Sequence, residues 1–109
     1  MKNKNIKPRN ENNQPHGYWE TYWSNGNGKL YYKGNFVNGK EHGYWEVYYY
    51  NGKLASKGNY VDGKRHGYWV VYHENGKLWY KGNYVNGNRH GYWVEYYDNG
   101  NLNKIEYYI

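Results

Sequence analysis

The chain has 109 residues, 38% of them hydrophobic, and a mean hydropathy of −1.38, which excludes a deep aliphatic core. Yet 23% of it is aromatic, with 18 Tyr and 6 Trp, so burial must come from rings that keep a polar tip in water. Half of the net charge of +6 falls in residues 1–15, and the rest of the chain is too mixed in sign for a duplex-binding stripe.

Residues 1–15 carry Lys2, Lys4, Lys7 and Arg9, with Ile6 the lone aliphatic side chain after Met1. Ordering a backbone costs about 1–2 kcal/mol per residue, and little apolar surface is present to offset it. The segment is therefore expected as a flexible basic tail outside the fold. It lacks the apolar centre of a secretory signal, and no later run approaches a membrane span. With no Cys in the chain there is no disulfide framework and no thiolate chemistry. The expected location is cytoplasmic or intracellular.

From His16 onward the chain repeats itself. His16-Gly17-Tyr18-Trp19 returns at His42, His66 and His90, after 26 residues once and 24 residues twice. The units run 16–41, 42–65, 66–89 and 90–109. A fixed period of this size marks an architecture in which neighbours supply each other's buried surface.

Each unit reads as a β-hairpin. In the second, Gly43 to Tyr50 precedes Asn51-Gly52, and Lys53 to Val61 precedes Asp62-Gly63. Both dipeptides suit two-residue turns that need positive φ. Aromatic and β-branched residues favour pleated positions, and no helical period fits. Four units predict an all-β, single-layer antiparallel meander of about eight strands. A two-residue turn at Asn51-Gly52 pairs Tyr50 with Lys53 and Tyr49 with Leu54, and puts Trp45 opposite Gly58 and Glu46 opposite Lys57. A two-residue turn at Asp62-Gly63 puts Ser56 opposite Trp69. Side chains alternate between faces, so Trp19, Trp45, Trp69 and Trp93 share one face as the core. Gly34, Gly58 and Gly82 then give each indole room to lie flat on the adjacent strand. Ser24 to Lys29 carries two extra residues, which preserves this phase. Leu102 to Ile109 departs from the pattern, as capping units do, and its Ile and Tyr residues make an edge suited to edge-to-edge self-association.

The segment from Tyr80 to Gly91 resembles the MORN repeat, with its Tyr-x-Gly-x-(Trp/Tyr)-x-x-Gly-x-x-His-Gly pattern. Tyr32 to Gly43 matches as well, and Ser56 to Gly67 matches with Ser56 in the first position. The Asn-Gly-Lys-Leu element, and Trp after His-Gly-Tyr, are similar to the bacterial variant labelled YwqK-like and antitoxin-like. The resemblance covers residues 16–109. It implies an elongated, twisted single-layer sheet, and a role in lipid contact, protein scaffolding or toxin neutralisation.

The repeated His suggest a metal, but equivalent positions lie two strands apart, about 9.6 Å. Two zinc ligands cannot be more than roughly 4 Å apart, so no metal is expected. No cofactor is expected either, because no helix is present to build a phosphate loop. Ser24, Ser56 and Thr21 fall at non-repeating positions, and Glu46 faces Lys57 as an ion-pair partner, so no catalytic residue is assigned. The candidate binding residues lie opposite the Trp face: Tyr44, Tyr48, Tyr68, Tyr72, Tyr92 and Tyr96, with Lys57, Lys81 and Trp79. Rigid Tyr and Trp among cations suit a protein partner. The reading is a non-enzymatic protein-binding or scaffold module whose partner is a toxin or an assembly component. The alternative is an anionic-lipid surface met by Lys33, Lys57, Lys81 and the basic tail. Single-stranded nucleic acid ranks last, given the modest charge of the repeat body.

Overall fold

The computed structural model describes residues 4–24 and 27–109. Eight antiparallel strands follow one another in a single open sheet. They are β1 (Gly17–Tyr22), β2 (Leu30–Val37), β3 (Lys40–Tyr48) and β4 (Leu54–Val61). The second half holds β5 (Lys64–Tyr72), β6 (Leu78–Val85), β7 (Asn88–Tyr96) and β8 (Leu102–Tyr108). The molecule measures 44 × 32 × 13 Å, too thin for a second layer about 10 Å away.

Two kinds of turn alternate. At Asn38-Gly39, Asp62-Gly63 and Asn86-Gly87 both residues have positive φ, the geometry of a two-residue type I′ hairpin. The Asn51-Gly52 turn differs from the sequence expectation. Here Gly52 N–H donates to Tyr49 C=O at 2.9 Å and Tyr49 N–H donates to Lys53 C=O at 2.9 Å. Only Gly52 has positive φ, so the loop holds three residues, a type I turn closed by a glycine bulge. Tyr49 thus pairs with Lys53, and Leu54 falls opposite Tyr48 rather than Tyr49. A bulge then restores the phase, and Trp45 does lie opposite Gly58 and Glu46 opposite Lys57. The first long turn, expected between Ser24 and Lys29, includes Asn25 and Gly26, which lie outside the described residues. On either side of it the strands stay in phase, with Trp19 opposite Gly34.

The pairs between hairpins hold a larger irregularity. Lys57 faces Val70, but Asn59 faces His66. Gly58 alone therefore spans Gly67, Tyr68 and Trp69, and Ser56 falls opposite Val71 instead of Trp69. The same step occurs around Gly34 and Gly82. Its pivot is the glycine of the His-Gly motif, with φ of +81° at Gly43, +78° at Gly67 and +75° at Gly91. Two extra residues leave the alternation of faces intact. They also let the Trp side chain swing back over the preceding strand. Each indole N–H donates to a backbone carbonyl there: Trp45 to Asn35 and Trp69 to Asn59 at 3.0 Å, and Trp93 to Asn83 at 3.1 Å. The four motif Trp are the most buried rings, at 2–5% exposure. Phe36, Tyr60 and Tyr84 meet them edge-on with centroids 4.9–6.2 Å apart, a continuous ring stack along the sheet.

Residues 4–16, of which all but His16 were expected in a tail outside the sheet, run along β1. Ile6 and Glu20 exchange both backbone hydrogen bonds, at 2.8 and 2.9 Å. His16 N–H donates to Pro8 C=O at 3.1 Å, and Trp19 Nε1–H donates to the same carbonyl at 2.8 Å. Pro8 thus does for Trp19 what Asn35 does for Trp45. The Arg9 guanidinium stands over the Trp19 ring at 5.4 Å. Covering the first indole is the gain that offsets ordering this polar segment.

Candidate binding face

One row of side chains crosses the whole sheet. Successive pairs place Ile6 beside Glu20, then Lys33, Glu46, Lys57, Val70, Lys81, Val94 and Ile105. This row lies opposite the buried Trp. Its first half alternates Glu and Lys, and its second half replaces both Glu by Val and the last Lys by Ile.

Lys57 apart, the polar half is internally satisfied. Tyr44 and Tyr48 flank Glu46 on β3 and donate their hydroxyls to its two carboxylate oxygens, at 2.7 and 2.6 Å. Tyr18 and Tyr22 hold Glu20 in the same way, at 2.8 and 2.5 Å. Lys33 Nζ reaches Glu46 at 3.3 Å. The sequence paired Glu46 with Lys57 as an ion pair; they are opposite in register, but the ammonium within bonding distance is that of Lys33. Burial pushes the Glu46 carboxyl up, but the hydrogen bonds from Tyr48, Tyr44 and Lys33 outweigh it and hold the group below its ordinary value. Partial burial and then the Glu46 carboxylate push the Tyr44 and Tyr48 phenols up to about 12. Tyr18 rises to about 12 from burial and its bond to Glu20.

The second half has no such clamp. Tyr68 and Tyr72 flank Val70, and Tyr92 and Tyr96 flank Val94, so their hydroxyls have no carboxylate between them. Tyr68 is 52% exposed and Tyr92 69%. Lys57 and Lys81 are half-buried and form no ion pair among the described residues. Tyr107 and Ile105, which the sequence reading did not include, extend the patch onto β8, the Tyr107 ring lying 4.8 Å from that of Tyr92.

The nine expected binding residues therefore divide. Tyr44 and Tyr48 belong to a clamp, whereas Tyr68, Tyr72, Lys57, Lys81, Tyr92 and Tyr96 share the apolar half. Trp79 lies elsewhere. It is skipped where the register steps from Tyr72–Leu78 to Val71–Tyr80. Its ring stacks on His73 at 4.7 Å and meets Tyr80 edge-on, and Tyr80 in turn leans on Trp93. A bulged residue escapes strict alternation, which is why the sequence misplaced it. His73, without a role in the sequence reading, ties this tip to the next hairpin through Nε2 and the Tyr96 carbonyl, 2.9 Å apart. The turns are laced further by Asn and Lys. Asn51 Nδ2 donates to Glu74 C=O at 2.9 Å, and Lys53 Nζ donates to Asn75 C=O at 3.1 Å.

No three His, Asp or Glu side chains gather as a metal site among the described residues. His16 has a backbone role: its Nδ1 accepts from Asn38 N–H at 3.1 Å. No helix among the described residues is long and apolar enough to cross a membrane.

The model of the MORN repeat variant matches residues 41–62, 65–86 and 89–109, more than half of the chain. The chain belongs to the MORN repeat variant family. Each matched MORN unit begins inside a type I′ hairpin, crosses the glycine pivot and its Trp, and returns on the next strand. The sequence boundaries at His42, His66 and His90 fall one residue inside these units. MORN repeats commonly serve in protein or membrane binding. Curated proteins give no match.

Proposed function

We infer that this MORN protein is a non-enzymatic binding module that docks a protein partner on the apolar half of its Tyr face. The change of the cross-sheet row from Glu and Lys to Val and Ile carries this reading. Val70, Val94 and Ile105 stand among half-exposed Tyr rings, with Lys57 at the rim and Lys81 between the two valines, both free to meet carboxylates. Apolar side chains among aromatic anchors, with cations placed to pair with a partner's carboxylates, suit a protein interface. The partner is a toxin or an assembly component, the roles that the antitoxin-like resemblance implies. A lipid surface draws on Lys33, Lys57 and Lys81, but Lys33 is already held by Glu46.

The test is Val70→Glu in the full chain. Tyr68 and Tyr72 can clamp the new carboxylate as Tyr44 and Tyr48 clamp Glu46, so the fold should survive. Partner recovery in a pull-down should fall with it, and also with Tyr68→Ala. If recovery is unchanged by both, or if only binding to phosphatidylserine vesicles responds, the protein-docking reading is wrong.

A further inference from the structure

The two edges of the sheet are treated differently. The β1 edge is covered by residues 4–15, through Ile6 and Pro8. The β8 edge is bare. Lys33, Lys57 and Lys81 each pair with a strand on both sides. Ile105 is their counterpart in β8 and has β7 on one side only. Leu102, Ile105 and Tyr107 are 53–60% exposed, and Ile109 is fully exposed.

The β8 strand also differs in sequence from those that carry a Trp hairpin. Trp45, Trp69 and Trp93 each lie over a glycine of the preceding strand, and a Cβ at Gly34, Gly58 or Gly82 would come within 2.2–2.3 Å of the indole. Glu106 takes that glycine position in β8, opposite Trp93. The edge therefore offers its backbone without the glycine on which Trp45, Trp69 and Trp93 lie.

The geometry points to a second copy of this chain, paired antiparallel through β8 about a two-fold axis at Ile105. The charges of the strand select this occupant. Lys104 and Glu106 lie on one face, 3.2 Å apart and half-exposed. In the pairing centred on Ile105, each Lys104 faces Glu106 of the second copy, and each Glu106 faces its Lys104. Two ion pairs form across the axis on the Trp face, and Ile105 meets its twin on the Tyr face. Opposite charges directly across a strand pair favour the register, and like charges oppose it. The closed two-fold arrangement uses the same patch on both copies and leaves no bare edge of this kind. It would also join the two apolar strips of Val70, Val94 and Ile105 into one central surface.

The experiment is sedimentation equilibrium on the full chain over a concentration series, in low salt. The native chain should approach twice its 13.2 kDa mass. Lys104→Glu and Glu106→Lys should each weaken the dimer on the order of tenfold or more, since each turns two attractions into repulsions. The double exchange Lys104→Glu/Glu106→Lys should restore it. Ile105→Lys returns the residue that the other repeats carry at this place, so the fold tolerates it, yet it sets two cations face to face and should give a monomer. Circular dichroism melting confirms that each variant is folded. A native mass that stays at 13.2 kDa up to about 1 mM overturns the proposal. A dimer indifferent to both single reversals, or a double exchange that fails to restore association, overturns it as well.

Discussion

The indole of Trp69 lies flat over Gly58, so close that a Cβ there would sit 2.2 Å from Trp69 Cδ2. Tryptophan and glycine are two halves of one joint, made between successive hairpins. The positive φ of Gly67 throws the chain back, Trp69 fills the space, and its N–H reaches the Asn59 carbonyl. Trp69→Ala should therefore destabilise by about 3–5 kcal/mol, the cost of emptying a buried aromatic site. Gly58→Ala should cost about 1–3 kcal/mol from overpacking, rising toward the Trp69→Ala value if the ring is expelled. The double variant should cost clearly less than the sum, because an alanine at 58 finds open space once the indole is gone. Urea unfolding of the four proteins measures this, and strict additivity would mean that the contact does not govern stability.

The second glycine of the joint should respond for a different reason. A Cβ on Gly67 meets no atom within 4 Å, so space is not the constraint. Its φ of +78° is, and a side chain held there costs roughly 1–2 kcal/mol. Gly67→Ala should thus be milder than Trp69→Ala and additive with it, apart from any shift of the strand. Gly67→Asn, which tolerates this backbone better, should recover part of the loss. Equal losses for Ala and Asn would show that something other than φ is at stake.

The repeat, the strands and the placement of Trp45, Gly58 and their equivalents were legible because alternation and period are properties of sequence alone. The Trp45–Gly58 pair came out right through two errors that cancel. Asn51-Gly52 was read as a two-residue turn, and the bulge that compensates the real three-residue turn was not seen. Asn-Gly suits both turns, so the dipeptide does not settle the count. The offset at Gly58 was missed because two extra residues leave the faces unchanged. The N-terminal segment was misread because Ile6 and Pro8 carry no repeat signature. A signal was present nonetheless: each Trp rests on the strand before it, and Trp19 has none within the repeats. On the binding face, the substitution of Glu by Val70 was visible. The clamp of Tyr44 and Tyr48 on Glu46 was not, because it needs three side-chain directions at once.

Removing residues 1–15 should expose the Trp19 indole and leave its N–H without the Pro8 carbonyl. Truncation should lower the melting temperature and red-shift Trp fluorescence. Losing a hydrogen bond and part of an aromatic contact suggests about 1–3 kcal/mol. Hydrogen exchange gives the residue-level test. The amides of Ile6, His16 and Glu20 donate in this structure and should be protected in the intact chain. Rapid exchange at Ile6 and His16, with unchanged melting after truncation, would restore the flexible-tail reading.

The Tyr–Glu–Tyr clamps should write themselves into the pH dependence of stability. The carboxyls of Glu20 and Glu46 are held below their ordinary value of 4.5. A depressed carboxyl contributes stability above the unfolded value, and that contribution is lost as pH falls through the folded one. The phenols of Tyr18, Tyr44 and Tyr48 are raised from 10.0 to about 12. A raised phenol contributes below pH 10.0 and loses its contribution as pH climbs toward about 12. Stability should therefore be flat between roughly pH 5 and 9 and decline on both sides. In Glu46→Gln the acid-side decline should shrink. The same substitution should bring Tyr44 and Tyr48 back toward 10.0, because an amide oxygen carries no charge for the ionised phenol to oppose. Tyrosinate absorbance during alkaline titration reads this directly. Two phenols should move to lower pH in the variant. If the native and Glu46→Gln curves superimpose, the clamp does not hold in solution.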